Sequence, residues 1–107
     1  MNHLIESTLS SLDASVHFAN YSGSDSTYVV YQEYNQAPSL HADDEEIRTK
    51  YFYQVDVFSS GNYSQTVKEL KRLMNEAGFK RTFEAGEYVS ELSKYRKLLR
   101  FSYEAAS

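Results

Sequence analysis

The chain has 107 residues, of which 41% are hydrophobic and 24% charged, and its net charge is −4. This balance predicts one globular domain, residues 1–107, with a modest core, and argues against disorder along the whole chain. The lack of cysteine excludes a disulfide framework, a thiolate nucleophile and a cysteine-based metal site, and the net negative charge disfavours generic nucleic-acid binding.

Leu4, Ile5, Leu9 and Leu12 fall on one face at helical spacing and predict a first helix over residues 2–13, with Glu6 near its start favouring the dipole. The same stretch has no basic region and no long apolar run, so no secretory leader is expected there. Val16 to Ala19 reads as a short strand, and Ser22 to Ser26 as a turn by composition.

Thr27 to Tyr34 is β-branched and aromatic almost throughout, which predicts a strand. Asn35 to Asp44 holds the chain's one proline, Pro38, and no periodicity, so a loop is expected. It leads into Asp43, Asp44, Glu45 and Glu46, whose mutual repulsion suits a solvated, mobile turn. Ile47 to Ser59 is the longest strand candidate. Tyr51, Tyr53, Val55 and Val57 share one face, expected to meet the core, while Phe52, Gln54, Asp56 and Phe58 share the other.

Asn62 is the N-cap expected for the next helix, with Gln65 as its capping-box partner. Val67, Leu70, Met74 and Ala77 follow at helical spacing, with Leu73 beside them, and Gly78-Phe79 fits a Schellman ending. Phe79 to Ala85 predicts a strand, Ala85-Gly86-Glu87 a loop, and Tyr95 to Tyr103 a final strand. A helix over Tyr88 to Leu99 is the rival reading, because Val89, Leu92, Tyr95, Arg96 and Leu99 also match a 3.6-residue period. Glu104 to Ser107 is expected to fray. The whole predicts an α+β fold: an antiparallel sheet of four to five strands with an N-terminal helix and one long amphipathic helix packed on it.

Catalytic signatures are missing from the sequence. His3, His17 and His41 have no ligand spacing, and the Asp43–Glu46 run lacks the spaced ligands and glycine of a calcium loop. No serine sits in a nucleophile elbow, and the four glycines are isolated, so no phosphate loop exists. Lys94, Tyr95, Arg96, Lys97 and Arg100 form the one passage suited to phosphate, but its cations would fall on more than one face. The expectation is a protein that is not an enzyme, with no cofactor, no metal, no membrane span and no direct nucleic-acid contact. Ten tyrosines against no tryptophan suit half-buried sheet faces and interfaces. Charge is split along the chain: residues 1–66 hold two cations and nine carboxylates, and residues 67–107 hold nine cations and six carboxylates. Unlike faces of this kind suit head-to-tail docking.

The run Ala42 to Ile47, the strand Tyr51 to Phe58 with Gln54-Val55-Asp56-Val57, and the corner Ser60-Gly61-Asn62-Tyr63 carry a resemblance. It continues through Val67-Lys68-Glu69-Leu70, Met74, Glu76-Ala77-Gly78-Phe79 and the strand Lys97 to Tyr103. In order and spacing these pieces resemble the small tail-completion, or tail-terminator, proteins of long-tailed bacteriophages and prophages, which join head to tail. Glu84 to Ser93 departs from that family's pattern. The resemblance implies a structural virion protein, assembled in the bacterial cytoplasm as a homohexameric ring. Its partners would be itself, the tail-tube protein and the head connector or head-completion protein. A small cytosolic protein-binding adaptor unrelated to phage is the alternative. Ring formation would need exposed aromatic faces, for which Tyr31, Tyr34, Phe52 and Phe58 are candidates. It would also need a mobile segment that orders on meeting a partner, for which the loop from Asn35 to Glu46, with Asp43, Asp44, Glu45 and Glu46, is the candidate.

Overall fold

Strict alternation along one central strand organises the molecule. The computed structural model describes the backbone of residues 2–21, 23, 25–42 and 45–106, and the side chains of 4–21, 23, 25–34 and 49–105. The elements in chain order are α1 (Asn2–Thr8), β1 (Ser15–Phe18), β2 (Thr27–Ala42), β3 (Glu45–Ser59), α2 (Ser64–Glu76), β4 (Lys80–Val89) and β5 (Lys94–Ala106). They form one five-stranded sheet in the order β1-β2-β3-β5-β4.

The fold is α+β, as expected, but the sheet is mixed. β1 runs parallel to β2, whereas the β2–β3, β3–β5 and β4–β5 pairs are antiparallel. A parallel neighbour needs a return connection. Here residues 19–26 suffice, because β1 spans only Ser15–Phe18 and little length has to be retraced. Among the described residues no long helix is present: α1 has seven residues and α2 thirteen.

On β3, Tyr53, Val55 and Val57 are fully buried, and they pack with Val29 and Tyr31 of β2 and Leu99 and Phe101 of β5. Ile5, Leu9 and Leu12 from the α1 region and Val67, Leu70 and Met74 of α2 close this core from one side. α1 is shorter than its apolar spacing implied; turns carry Leu9 and Leu12 onto the same core. Glu6 lies beyond the first turn and instead accepts a hydrogen bond from the Tyr31 hydroxyl.

The end of α2 is a Schellman motif. Gly78 has φ +97°, Phe79 N–H donates to Met74 O at 3.0 Å and Gly78 N–H to Asn75 O at 3.1 Å. Its start differs from expectation. Tyr63 is the N-cap and makes no side-chain cap bond; Asn62 acts one residue early, its Oδ1 accepting from Ser64 N–H at 2.9 Å.

Three segments expected to be irregular are strands. Asn35–Ala42 continues β2, with register shifts between Glu33 and Asn35, Pro38 and Leu40, and Leu40 and His41. Pro38 is tolerated because β1 pairs only with Tyr28–Tyr31, so β2 beyond that point has a free edge that needs no N–H. Ala85-Gly86-Glu87 lies inside β4, and the turn comes at residues 90–93, where Ser93 takes φ 53°. The rival helix over Tyr88 to Leu99 is therefore absent. Gly86 marks a close approach, since a Cβ there would lie 3.3 Å from the Tyr63 hydroxyl. Glu104 to Ala106 does not fray but pairs with Arg48–Lys50; Ser107 lies outside the described residues.

β2, β3 and β5 form the long ladder of the sheet, with β5 pairing along β3 as far as Arg48. The fifteen residues of β3 account for the 52 Å long axis at roughly 3.3 Å per residue. The radius of gyration is 15.0 Å, against about 13 Å for a compact chain of this length.

Two expectations test this packing. Leu70→Ala and Met74→Ala should each lower stability by about 2–5 kcal/mol in urea melts, since both side chains are fully buried. The two core tyrosines should respond in opposite senses. The Tyr53 hydroxyl is buried with no hydrogen-bond partner, whereas that of Tyr31 is held by Glu6. Tyr53→Phe should raise stability by roughly 1 kcal/mol and Tyr31→Phe lower it by a similar amount.

Candidate functional site

Both helices pack on the face carrying Tyr53, Val55 and Val57, so the opposite parity of each strand builds an open face. Its first cross-strand row is Tyr28, Phe58, Arg96 and Glu87, each paired in register with the next. Tyr28 stacks on Phe58 with centroids 5.0 Å apart, and the Arg96 guanidinium lies 5.9 Å from the Phe58 centroid. Arg96 also holds Asp56 at 3.2 Å and Glu87 at 2.9 Å. Burial opposes its charge, but these two carboxylates outweigh burial and raise its pKa.

A second row is Gln32, Gln54, Arg100 and Phe83. The Arg100 guanidinium sits 5.2 Å from the Tyr34 ring and 5.6 Å from the Phe83 ring, and its Nε donates to Gln54 Oε1 at 3.3 Å. It has no carboxylate partner among the described residues. Phe52 follows, 5.9 Å from Tyr34. At the β1 side, the return segment lays Tyr21 over this face, 4.1 Å from His17 and 4.4 Å from Tyr28. The face is thus paved by alternating aromatic and guanidinium groups. That composition is typical of the anchoring residues of protein interfaces.

Of the candidate interface residues, Tyr34, Phe52 and Phe58 converge on the open face. Tyr31 does not: it is 0% exposed and belongs to the core, so it cannot meet a neighbour. Burial first, and then its bond to Glu6, push its hydroxyl pKa well up. In Thr27 to Tyr34 both parities are apolar or aromatic up to Tyr31, so alternation could not tell inward from outward there. Asp43 and Asp44 lie outside the described residues. Glu45 and Glu46 begin β3, paired with Ala42 and His41, and their side chains lie outside the description. Arg96, Arg100 and Phe83 were not singled out for this face. Their shared parity with Leu98 and Ala85 was the available signal.

A second charged centre lies on the helix side. Glu84 of β4 is gripped by Lys71 of α2 at 2.8 Å, Lys97 of β5 at 2.9 Å and Arg81. The Lys71 and Lys97 ammonium groups hold its carboxyl down to about 2. Lys97 therefore serves the helix side while Arg96 and Arg100 serve the open face, so the basic passage of β5 is divided between two surfaces. Among the described residues no group of histidines and carboxylates could hold a metal ion, and no helix is long and apolar enough to cross a membrane.

No protein-family profile matches this chain, and no curated protein matches it in sequence. In fold it is similar to a chain of the virion of a native gene transfer agent (GTA) particle, with a TM-score of 0.58 and 14% sequence identity over 96% of this chain and 84% of that one. At that identity the likeness is one of fold.

The Glu84 centre has a pH signature. Its carboxyl is depressed from 4.5 to about 2, so the ion pairs stabilise the fold fully above pH 4.5 and their contribution fades as pH falls toward 2. In urea melts, Glu84→Gln should be less stable than wild type at pH 7, and the gap should close across that window. A gap unchanged at pH 2.5 would mean that Glu84 does not act through its charge.

Proposed function

We propose that this chain is a non-enzymatic structural component of a phage-type virion, located in the particle and assembled in the bacterial cytoplasm. In the finer reading it caps the tail tube and joins it to the head connector as a homohexameric ring. The observation that carries the virion reading is the fold shared with a gene transfer agent virion chain over 96% of the sequence. The resemblance in order and spacing to tail-completion proteins supports it independently.

The physical arrangement is suited to such a role. A closed ring needs heterologous contacts, in which one surface of each copy meets a different surface of the next. The open sheet face and the charged helix side are two such surfaces. Among the described residues neither shows an enclosed, apolar pocket with convergent polar groups, which suits assembly.

The open face is the place to test it. Phe52→Ser/Phe58→Ser should fold normally, since both rings lie outside the core cluster, with circular dichroism as the check. Supplied to a phage or prophage lacking the gene, the variant should fail to enter particles and leave unjoined heads and tails. Wild-type titre from the folded variant would remove the open face from the interface. Failure of the wild-type chain to purify with particles would overturn the virion reading itself.

A further inference from the structure

The open face is neutralised in one half only. Arg96 is held there by Asp56 and Glu87. In the other half, Arg100 donates from Nε to Gln54 and lies between the rings of Tyr34 and Phe83. Its two terminal nitrogens make no hydrogen bond among the described residues. Lys80 joins this half through its pairing with Ser102, the partner of Phe52, and it too makes no ion pair among the described residues. A guanidinium framed by two rings, with its planar fork unused, suits a carboxylate that arrives with apolar groups around it.

The chain carries such a group. The turn between β4 and β5 is Ser90-Glu91-Leu92-Ser93, and all four residues are exposed. Glu91 makes no ion pair among the described residues. Leu92 stands beside it, and at the base of the turn Tyr88 and Tyr95 pack edge to face, with centroids 5.0 Å apart. Tyr88, Leu92 and Tyr95 are 55%, 47% and 48% exposed, an apolar cluster that nothing in its own chain covers among the described residues. Tyr88 and Tyr95 have the strand parity of Glu84 and Lys97, so this hairpin tip belongs to the helix side of the sheet. It cannot meet the Arg100 of its own chain. β5 begins at Lys94, and Arg100 lies six residues along it, a span of roughly 20 Å at about 3.3 Å per residue.

We propose that the open face of one protomer receives the β4–β5 hairpin tip of a second copy, with Arg100 taking the Glu91 carboxylate and the rings of the face covering Tyr88, Leu92 and Tyr95. The contact is heterologous, because the tip and the open face are different surfaces. The inference deepens the reading of the open face as an interface and rests on it. A single-stranded nucleic acid could stack on the same rings and meet the same guanidinium. A second copy is favoured because the tip supplies both the carboxylate and the apolar area, one for each open face, and because the net charge of −4 repels polyanions. The ion pair fixes orientation, while the apolar side chains carry the buried area.

Sedimentation velocity of the purified chain at low ionic strength tests this. Wild type should self-associate, and added salt should weaken the association. Arg100→Glu and Glu91→Arg should each weaken it by about tenfold or more, and Leu92→Ser should also weaken it, without the salt dependence of the charge variants. The double variant Arg100→Glu/Glu91→Arg restores the pair with its charges reversed and should associate close to wild type. That rescue excludes misfolding as the cause of either loss. A wild type that stays monomeric, or a double variant no better than either single one, would overturn the proposal. Loss with Arg100→Glu but not with Glu91→Arg would also overturn it, and would show that the open face takes a different acidic partner. Purification of particles reads the virion role separately. A chain that self-associates through this pair but never enters particles keeps the contact and loses the virion reading, whereas a chain that enters particles with the pair abolished loses the contact alone.

Discussion

Everything in this molecule hangs on the alternation along β3, the middle strand of the sheet, which pairs with β2 and β5. Tyr53, Val55 and Val57 point one way into the helices, and Phe52, Gln54, Asp56 and Phe58 point the other. A slip of one residue would exchange these two sets. It would bury Gln54 and Asp56 under α2 and strip the Arg96 guanidinium of the carboxylate that anchors it. Register on β3 thus decides at once what is core and what is surface. The neighbouring strands follow it, because each row across the sheet repeats the parity of its β3 member.

Covering only one face has an energetic consequence. A domain of this size buries a limited share of its surface, and the fold here concentrates that share on the helix side. The core uses tyrosine where leucine would be simpler, and it must then manage the hydroxyls. Tyr31 finds Glu6 across the layer between β2 and α1. Tyr53 finds none, and burial pushes its pKa up to about 12. The open face shows the converse use of the same residue: Tyr34 at 44% exposure presents its ring to a guanidinium instead of to the core.

The sequence was legible where local chemistry and tertiary packing agree. The ending of α2 could be read from Gly78-Phe79 because a Schellman motif is a local structure with a steric requirement. Val67, Leu70 and Met74 were readable because one side of a helix faces one core. The second half of β2 was not readable. Its residues 35–42 pair on one side only, shift register three times and include a proline, so no alternation develops for a pattern to reveal. β4 failed for a different reason. Gly86 looks like punctuation in the sequence, but the glycine admits Tyr63 from the helix start, a contact between residues 23 apart that local spacing cannot show. At the site, Phe52, Phe58 and Tyr34 were found by parity or composition, whereas Tyr31 was misplaced because its strand is apolar on both faces there.

The charge split along the sequence acquires a spatial meaning in the fold. Residues 67–107, with their nine cations, form α2, β4 and β5, which sit together at one side of the sheet. Within that side, alternation along β5 divides the charge between two surfaces: Lys97 joins Lys71 and Arg81 around Glu84 on the helix side, while Arg96 and Arg100 lie over Phe58, Tyr34 and Phe83 on the open face.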